Sequence, residues 1–192
     1  MPPVKYPLGL SAKKNWAMDI LERFRKAKAV LTEEGWVCKG DLDLTNLGLV
    51  ALPTILEVGD SFWCSYNQLT TLEGAPKKVG GSFTCSHNQL TTLEGAPETL
   101  GVDFYCSYNR LTTLEGTPKK VGGGFFCNNN QLATLGGAPK KVNGTFYCNN
   151  NRLTTLEGTP KKVNGKFYCD NNRLPPNKTV EQLLKDARDP KR

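Results

Sequence analysis

Six cysteines stand 21 residues apart, at Cys64, Cys85, Cys106, Cys127, Cys148 and Cys169, with Cys38 outside the series. Thiols in such a register could ligate a metal, pair as disulfides or act as nucleophiles, and each chemistry demands companions. A tetrahedral metal site needs close Cys-x-x-Cys pairs or histidines; the chain has no such pair and a single histidine, His87. A nucleophilic thiol needs a base beside it, and one histidine cannot serve six cysteines. A disulfide needs converging Cβ directions, which in-register parallel strands about 4.8 Å apart seldom offer. What remains is the cysteine as a small buried hydrophobe, reduced and without cofactor.

The same step governs other columns. Phenylalanine recurs two residues before each cysteine (Phe62, Phe83, Phe104, Phe125, Phe146, Phe167), asparagine three after it (Asn67 to Asn172) and leucine five after it (Leu69 to Leu174). A second leucine and a proline follow in the same step, at Leu72 to Leu156 and Pro76 to Pro160. A period of roughly 20 to 50 residues signals a stack of one supersecondary unit, none able to bury its apolar face alone. In "SFTCS", Phe83 and Cys85 point one way while Ser82, Thr84 and Ser86 point the other, the alternation of a strand. Each coil therefore contributes one short strand, successive strands run parallel, and the asparagine falls at a corner where its amide can satisfy turn backbone. The ten residues between Leu93 and Phe104 include Glu-Gly-Ala-Pro and leave no room for a helix, so the other side of the coil is extended or a tight turn.

The pattern Phe-x-Cys-x-x-Asn-x-Leu-x-x-Leu resembles the leucine-rich repeat. It is similar to the short bacterial class of that family, and to the F-x-C-S-x-N-x-L-T-x-L-E-G-A-P repeats of proteins from large tailed bacteriophages. The resemblance implies a repeat solenoid (α+β): a slab or horseshoe with one parallel β-sheet, used for binding. Its coverage runs from about Leu42 to Leu174, with one departure. The leading apolar residue (Val58, Val79, Leu100, Val121, Val142, Val163) lies four before the phenylalanine rather than the family's three, which predicts a wider corner.

The ends read as caps. Residues 1–40 hold an N-terminal capping helix, predicted over Ala12–Glu34 from Ser11 as N-cap and an apolar stripe at Trp16, Ile20, Phe24, Ala27 and Leu31. Residues 41–174 are the solenoid, a degenerate first coil followed by six regular ones, with Leu47 where the asparagine belongs. Residues 175–192 form a C-terminal cap and tail, in which Thr179 and Gln182 signal a capping box for a short helix. No stretch approaches the roughly 18 apolar residues of a membrane span, and the first residues lack the apolar core of a signal peptide. The expectation is a cytoplasmic chain that meets no membrane; its oligomeric state is open.

Catalysis finds no support in the motifs. Glu73, Glu94, Glu115 and Glu157 form a column that repeats almost unchanged before glycine, as a fold-defining position does. His87 replaces a Tyr or Asn of its column and has no evident partner, and neither a P-loop nor an HExxH motif occurs. The exposed strand positions carry more. Between Phe and Cys the column reads Trp63, Thr84, Tyr105, Phe126, Tyr147 and Tyr168, flanked by Ser65, Ser86, Ser107, Asn128, Asn149 and Asp170, then by Tyr66, His87, Tyr108 and three asparagines. Aromatic anchors beside small hydrogen-bonding groups compose a protein-binding surface, although an aromatic ladder can also stack on itself for stability alone. Charge gives the competing reading. Lys77-Lys78, Lys119-Lys120, Lys140-Lys141 and Lys161-Lys162 form a stripe on a chain of formal charge +7, but residues 59–174 hold 12 basic against 8 acidic residues, a net of +4.

The sequence thus predicts a non-enzymatic module that binds a protein through its strand face. The phage resemblance implies an inhibitor that occupies or sequesters a bacterial defence protein in the host cytoplasm. A nucleic-acid binder using the lysine stripe is the alternative, and a structural virion component a third.

Overall fold

The computed structural model describes residues 13–188. Helix α1 (Lys13–Lys26) opens the described chain, followed by an antiparallel pair, β1 (Val30–Leu31) and β2 (Trp36–Cys38). Every later strand is parallel to its neighbours. One set forms a continuous seven-stranded sheet: β3 (Leu42–Asp43), β5 (Phe62–Trp63), β7 (Phe83–Thr84), β9 (Phe104–Tyr105), β11 (Phe125–Phe126), β13 (Phe146–Tyr147) and β15 (Phe167–Tyr168). Its register places Phe on Phe in successive coils, the 21-residue period made visible. We number the coils 1 to 7 by these strands.

The expected parallel sheet has a companion that the sequence reading did not include. On the opposite side of each coil lie β4 (Ile55–Val58), β6 (Lys78–Val79), β8 (Thr99–Leu100), β10 (Lys120–Val121), β12 (Lys141–Val142) and β14 (Lys162–Val163), paired in their own parallel ladder. The apolar residue four before each phenylalanine closes these strands. Three residues, such as Gly80 to Ser82, form the corner between the two ladders. The ladder is interrupted between β8 and β10, where an open groove is lined by Pro97, Glu98, Thr99, Pro118, Lys119 and Lys120.

The core lies between the ladders. Phe62, Phe83, Phe104, Phe125 and Phe146 are each 0% exposed and stack coil on coil with ring centroids 5.2 to 5.5 Å apart. Each such burial stabilises the fold by roughly 2–3 kcal/mol through apolar surface removed from water. The asparagine column supplies the polar counterpart. The Asn130 Nδ2 donates to the carbonyls of Cys106 and Cys127, and its Oδ1 accepts the amide of Leu111, so one side chain ties two coils together. Where coil 1 has Leu47 in that column, Asn67 of the next coil accepts the Leu47 and Leu49 amides instead. The outer turn is type II. Ala96 donates to the Leu93 carbonyl across Gly95, whose φ of 86° is a conformation that glycine adopts without strain.

The N-terminal cap is shorter than predicted. The helix ends at Lys26 and not at Glu34, because Lys28 takes a left-handed φ of 51° while Lys28 and Ala29 donate to the Arg25 and Phe24 carbonyls, a Schellman stop. The usual glycine signal for such a stop is missing. Leu31, assigned to the buried stripe, is exposed on β1, while Ile20, Phe24 and Ala27 do pack into the core. Ser11 and Ala12 lie outside the described residues, and so does the side chain of Trp16. Phe24 stacks on Trp36 at 4.3 Å, and Arg23 pairs with Asp43 at 2.7 Å, fastening α1 to the first coil. At the other end, α2 (Val180–Arg188) starts with the predicted capping box: Gln182 donates its amide to Thr179 Oγ1, and Thr179 donates its amide to Gln182 Oε1. Its Leu183 is buried against the last coil.

Candidate functional site

The cysteines face the core. All seven are buried as free thiols, and those of coils 2 to 6 donate to backbone carbonyls of the following coil, as Cys127 Sγ does to Tyr147 O at 3.2 Å. Burial pushes the Cys38 thiol up to about 11 and the thiols of coils 2 to 6 higher still, the opposite of what nucleophiles or metal ligands require. Among the described residues no group of three or more His, Cys, Asp or Glu side chains is arranged to hold a metal ion.

The predicted binding residues lie on the other face of the seven-stranded sheet, in two separate ladders. Tyr105, Phe126, Tyr147 and Tyr168 stack continuously with centroids 4.4, 5.1 and 4.5 Å apart, so each ring is half-buried by its neighbours. Trp63 stands apart from them, because Thr84 occupies the intervening coil and hydrogen-bonds Ser65 at 2.8 Å. Polar neighbours brace the ladder: Tyr105 donates its hydroxyl to Asp103, Ser107 donates to Asn128, and Asn149 donates to Asp170. Ser65 and Ser107, expected at the surface, are buried at 6% and 7% exposure, their hydroxyls bonded to Thr84 and to Phe126 and Asn128 of the next coil.

The second ladder sits at the corner after the strand. Tyr66, His87 and Tyr108 stack face to face with centroids 4.3 Å apart at both steps and interplanar angles of 10° and 9°. His87, which had no evident partner in sequence, is held between two tyrosines. Tyr66 and Tyr108 are 56% and 50% exposed, the most open aromatic side chains of the repeat region. All three residues adopt left-handed backbone, with φ of 57°, 55° and 56°. The same column holds asparagine in coil 1 (Asn46) and in coils 5 to 7 (Asn129, Asn150, Asn171), the residue that tolerates this conformation best.

The lysine stripe lies elsewhere. Lys120, Lys141 and Lys162 stand in register on the outer ladder, away from both aromatic ladders. Lys78 pairs with Glu57 at 2.7 Å, but none of the six lysines of the last three pairs forms an ion pair with a described carboxylate.

With this geometry in place, solved structures provide the comparison. The Shigella effector LRR domain matches with a TM-score of 0.67 and 21% identity, over 92% of this chain and 73% of that one. The fold is that of a leucine-rich repeat. YopM from Yersinia enterocolitica WA-314 matches the same share of the chain with a TM-score of 0.64 and 24% identity. YopM of Yersinia pestis, described as a leucine-rich effector protein, matches 86% with a TM-score of 0.52 and 22% identity. The chain spans 37% and 56% of the two YopM chains. No family model matches the chain, and no curated protein matches it in sequence. The leucine-rich-repeat coil explains the positions of the core Phe, Cys, Leu and Asn columns; it does not explain the aromatic bar at Tyr66, His87 and Tyr108. Among the described residues no helix is long and apolar enough to cross a membrane.

Proposed function

We propose that this chain is a non-enzymatic protein-binding module whose partner docks on the aromatic bar of Tyr66, His87 and Tyr108. The adjoining strand face, from Trp63 through Tyr105, Phe126, Tyr147 and Tyr168, with Asn128, Asn149 and Asp170 as hydrogen-bonding rim, completes the surface. The bar is the observation that carries this reading. A bulky residue in left-handed backbone costs about 1–2 kcal/mol, and each stacked aromatic pair returns about 0.5–1.5 kcal/mol. Counting the two tyrosines alone, since histidine tolerates this backbone better, about 2–4 kcal/mol of strain stands against about 1–3 from two stacked pairs, so stability does not account for replacing asparagine with aromatics in three consecutive coils. Rigid, half-exposed rings are what a binding hot spot needs. The solved leucine-rich-repeat neighbours are described as effectors, which supports a binding rather than a catalytic use of the fold. The finer reading, an inhibitor that occupies a bacterial protein in the host cytoplasm, rests on the resemblance of the repeat to phage sequences.

The test is the triple variant Tyr66→Asn, His87→Asn, Tyr108→Asn. Coils 5 to 7 already carry asparagine there, so the fold and thermal midpoint are retained. Bacterial proteins captured by the immobilised wild type are identified, purified and titrated against both forms by calorimetry. The expected result is a loss of about 2 kcal/mol or more, roughly thirtyfold in affinity. Neutralising Lys119, Lys120, Lys140 and Lys141 on the outer ladder leaves the affinity within about twofold. A partner that survives the aromatic changes and is lost with the lysines places the binding surface on the outer ladder and overturns the reading.

A further inference from the structure

The aromatic column of the strand face lacks one rung. Trp63, Thr84 and Tyr105 stand in register on adjacent strands of the seven-stranded sheet. From Tyr105 onward the column stacks in steps of 4.4, 5.1 and 4.5 Å. Tyr105 lies nearly parallel to Phe126 on its coil-5 side, so its opposite face, toward coil 3, meets no ring among the described residues. At a strand spacing of about 4.8 Å, the rungs of Trp63 and Tyr105 are about 9.6 Å apart. One planar group midway would sit at the spacing the ladder itself uses. Coil 3 turns only Ser82, Thr84 and Ser86 to this side, all half-buried, and Thr84 is held by its hydrogen bond to Ser65 at 2.8 Å. Tyr105 is fixed as the far wall, because its hydroxyl donates to Asp103, which also accepts the Gly124 amide.

Charge selects among planar groups. In coils 1 to 4 the strand segments 40–46, 60–66, 81–87 and 102–108 hold four aspartates, Asp41, Asp43, Asp60 and Asp103, and no lysine or arginine, on a chain of formal charge +7. Asp43 pairs with Arg23; the other three form no ion pair with a described cation. The matching segments of coils 5 to 7, 123–129, 144–150 and 165–171, hold one aspartate and one lysine. The missing rung therefore lies in the anionic part of the face.

We propose that this slot takes an arginine side chain of the partner protein, its guanidinium lying over Thr84 between Trp63 and Tyr105. An aromatic ring would match the spacing and not the charge, and a lysine ammonium would match the charge and not the plane. The guanidinium is planar, always charged and stacks on aromatic faces. Midway in the slot it lies within the roughly 6 Å over which a cation is attracted by an aromatic ring, and its N–H groups reach the hydroxyls of coil 3. The unpaired aspartates add an attraction that acts over about 8 Å at physiological salt. The slot shares coil 3 with His87, the centre of the bar, so one partner can cover both. The inference rests on the reading of this face as part of a docking surface and adds the partner's chemistry: a segment that presents arginine.

Nuclear magnetic resonance of the nitrogen-labelled full chain tests the slot with N-acetyl-L-argininamide as probe, and with the lysine and tyrosine analogues at equal ionic strength as comparisons. The indole N–H signal of Trp63, assigned by its loss in Trp63→Phe, is the reporter. The arginine probe should move it saturably, with a Kd on the order of 1–20 mM for so small a ligand, and the lysine and tyrosine analogues should bind about fivefold more weakly or less. Thr84→Tyr supplies the ring that this column already carries in coils 4, 6 and 7; it should keep the thermal midpoint at or above that of the wild type and abolish the arginine response. No saturable shift at about 50 mM probe, an equal response to lysine, a preference for tyrosine, or an arginine response that persists in a folded Thr84→Tyr variant would each overturn the proposal. The probe needs no partner, and the triple variant of the bar should keep the response, so failure of the bar and failure of the slot are read separately.

Discussion

Raising the pH from 7.5 to 9.5 should strongly destabilise this protein without touching any surface salt bridge, because the core holds its thiols in the protonated state. An unfolded thiol titrates at about 8.5. In the folded chain the thiol of Cys38 is pushed up to about 11 by burial, and those of Cys64, Cys85, Cys106, Cys127 and Cys148 are raised further by the same cause. A folded pKa above the unfolded one means that the stabilisation is fully present below about pH 8.5 and is lost as the pH climbs toward the folded values, since only the unfolded chain releases protons there. At pH 9.5, about one unit above the unfolded pKa, each such thiol favours the unfolded state by about 1.4 kcal/mol, and six of them by roughly 8 kcal/mol. Domains of ordinary stability have about 5–15 kcal/mol in all. Urea unfolding followed by circular dichroism at half-unit pH intervals should show the midpoint roughly level from pH 6.5 to 7.5, then falling by half or more by pH 9.5. A solenoid unravels from its weaker end, so the transition should also broaden. A midpoint that is level through pH 9.5, or native thiols that react with a disulfide reagent as fast as those of the denatured chain at pH 7.5, would refute the argument.

Two further outcomes follow from the repeat geometry. Asn130→Ala leaves the Leu111 amide unpaired in a buried site and removes one of the two asparagine donors at the Cys106 and Cys127 carbonyls, which Asn109 and Asn151 still reach, and should cost roughly 1–3 kcal/mol in denaturant titration, more than an exposed asparagine. Gly116→Ala forces a side chain onto φ of 91° and drives its Cβ into the Leu93 and Glu94 backbone, so it should cost about 2 kcal/mol or more; Gly136→Ala meets only Thr134 Oγ1 at 3.4 Å and should change the midpoint little.

The period carried most of the architecture into view, because a residue that recurs every 21 positions must occupy the same place in each coil. Phe, Cys, Asn and Leu belong to core and corner on that ground, and their burial and hydrogen bonds agree. The second ladder escaped because all its strands but β4 are two residues long, four of them reading Lys-Val and one Thr-Leu, too short to show alternation. The end of α1 escaped because the left-handed residue that stops it is Lys28, where glycine would have announced the turn. The burial of Ser65 and Ser107 was equally hidden, since it comes from hydrogen bonds to Thr84 and Asn128 of the next coil, which lie far along the chain.

The stacking of His87 between Tyr66 and Tyr108 teaches the complementary lesson. In linear order these residues lie 21 apart and look like three unrelated substitutions in an asparagine column; the in-register solenoid turns them into one object with rings 4.3 Å apart. A repeat makes the fold readable by what recurs, and it makes the site readable by what stops recurring. Coils 1, 5, 6 and 7 show that asparagine suffices at this corner. Coils 2 to 4 depart from it together and in contact, at a position where the backbone opposes the change, and so mark a surface that the fold itself does not require.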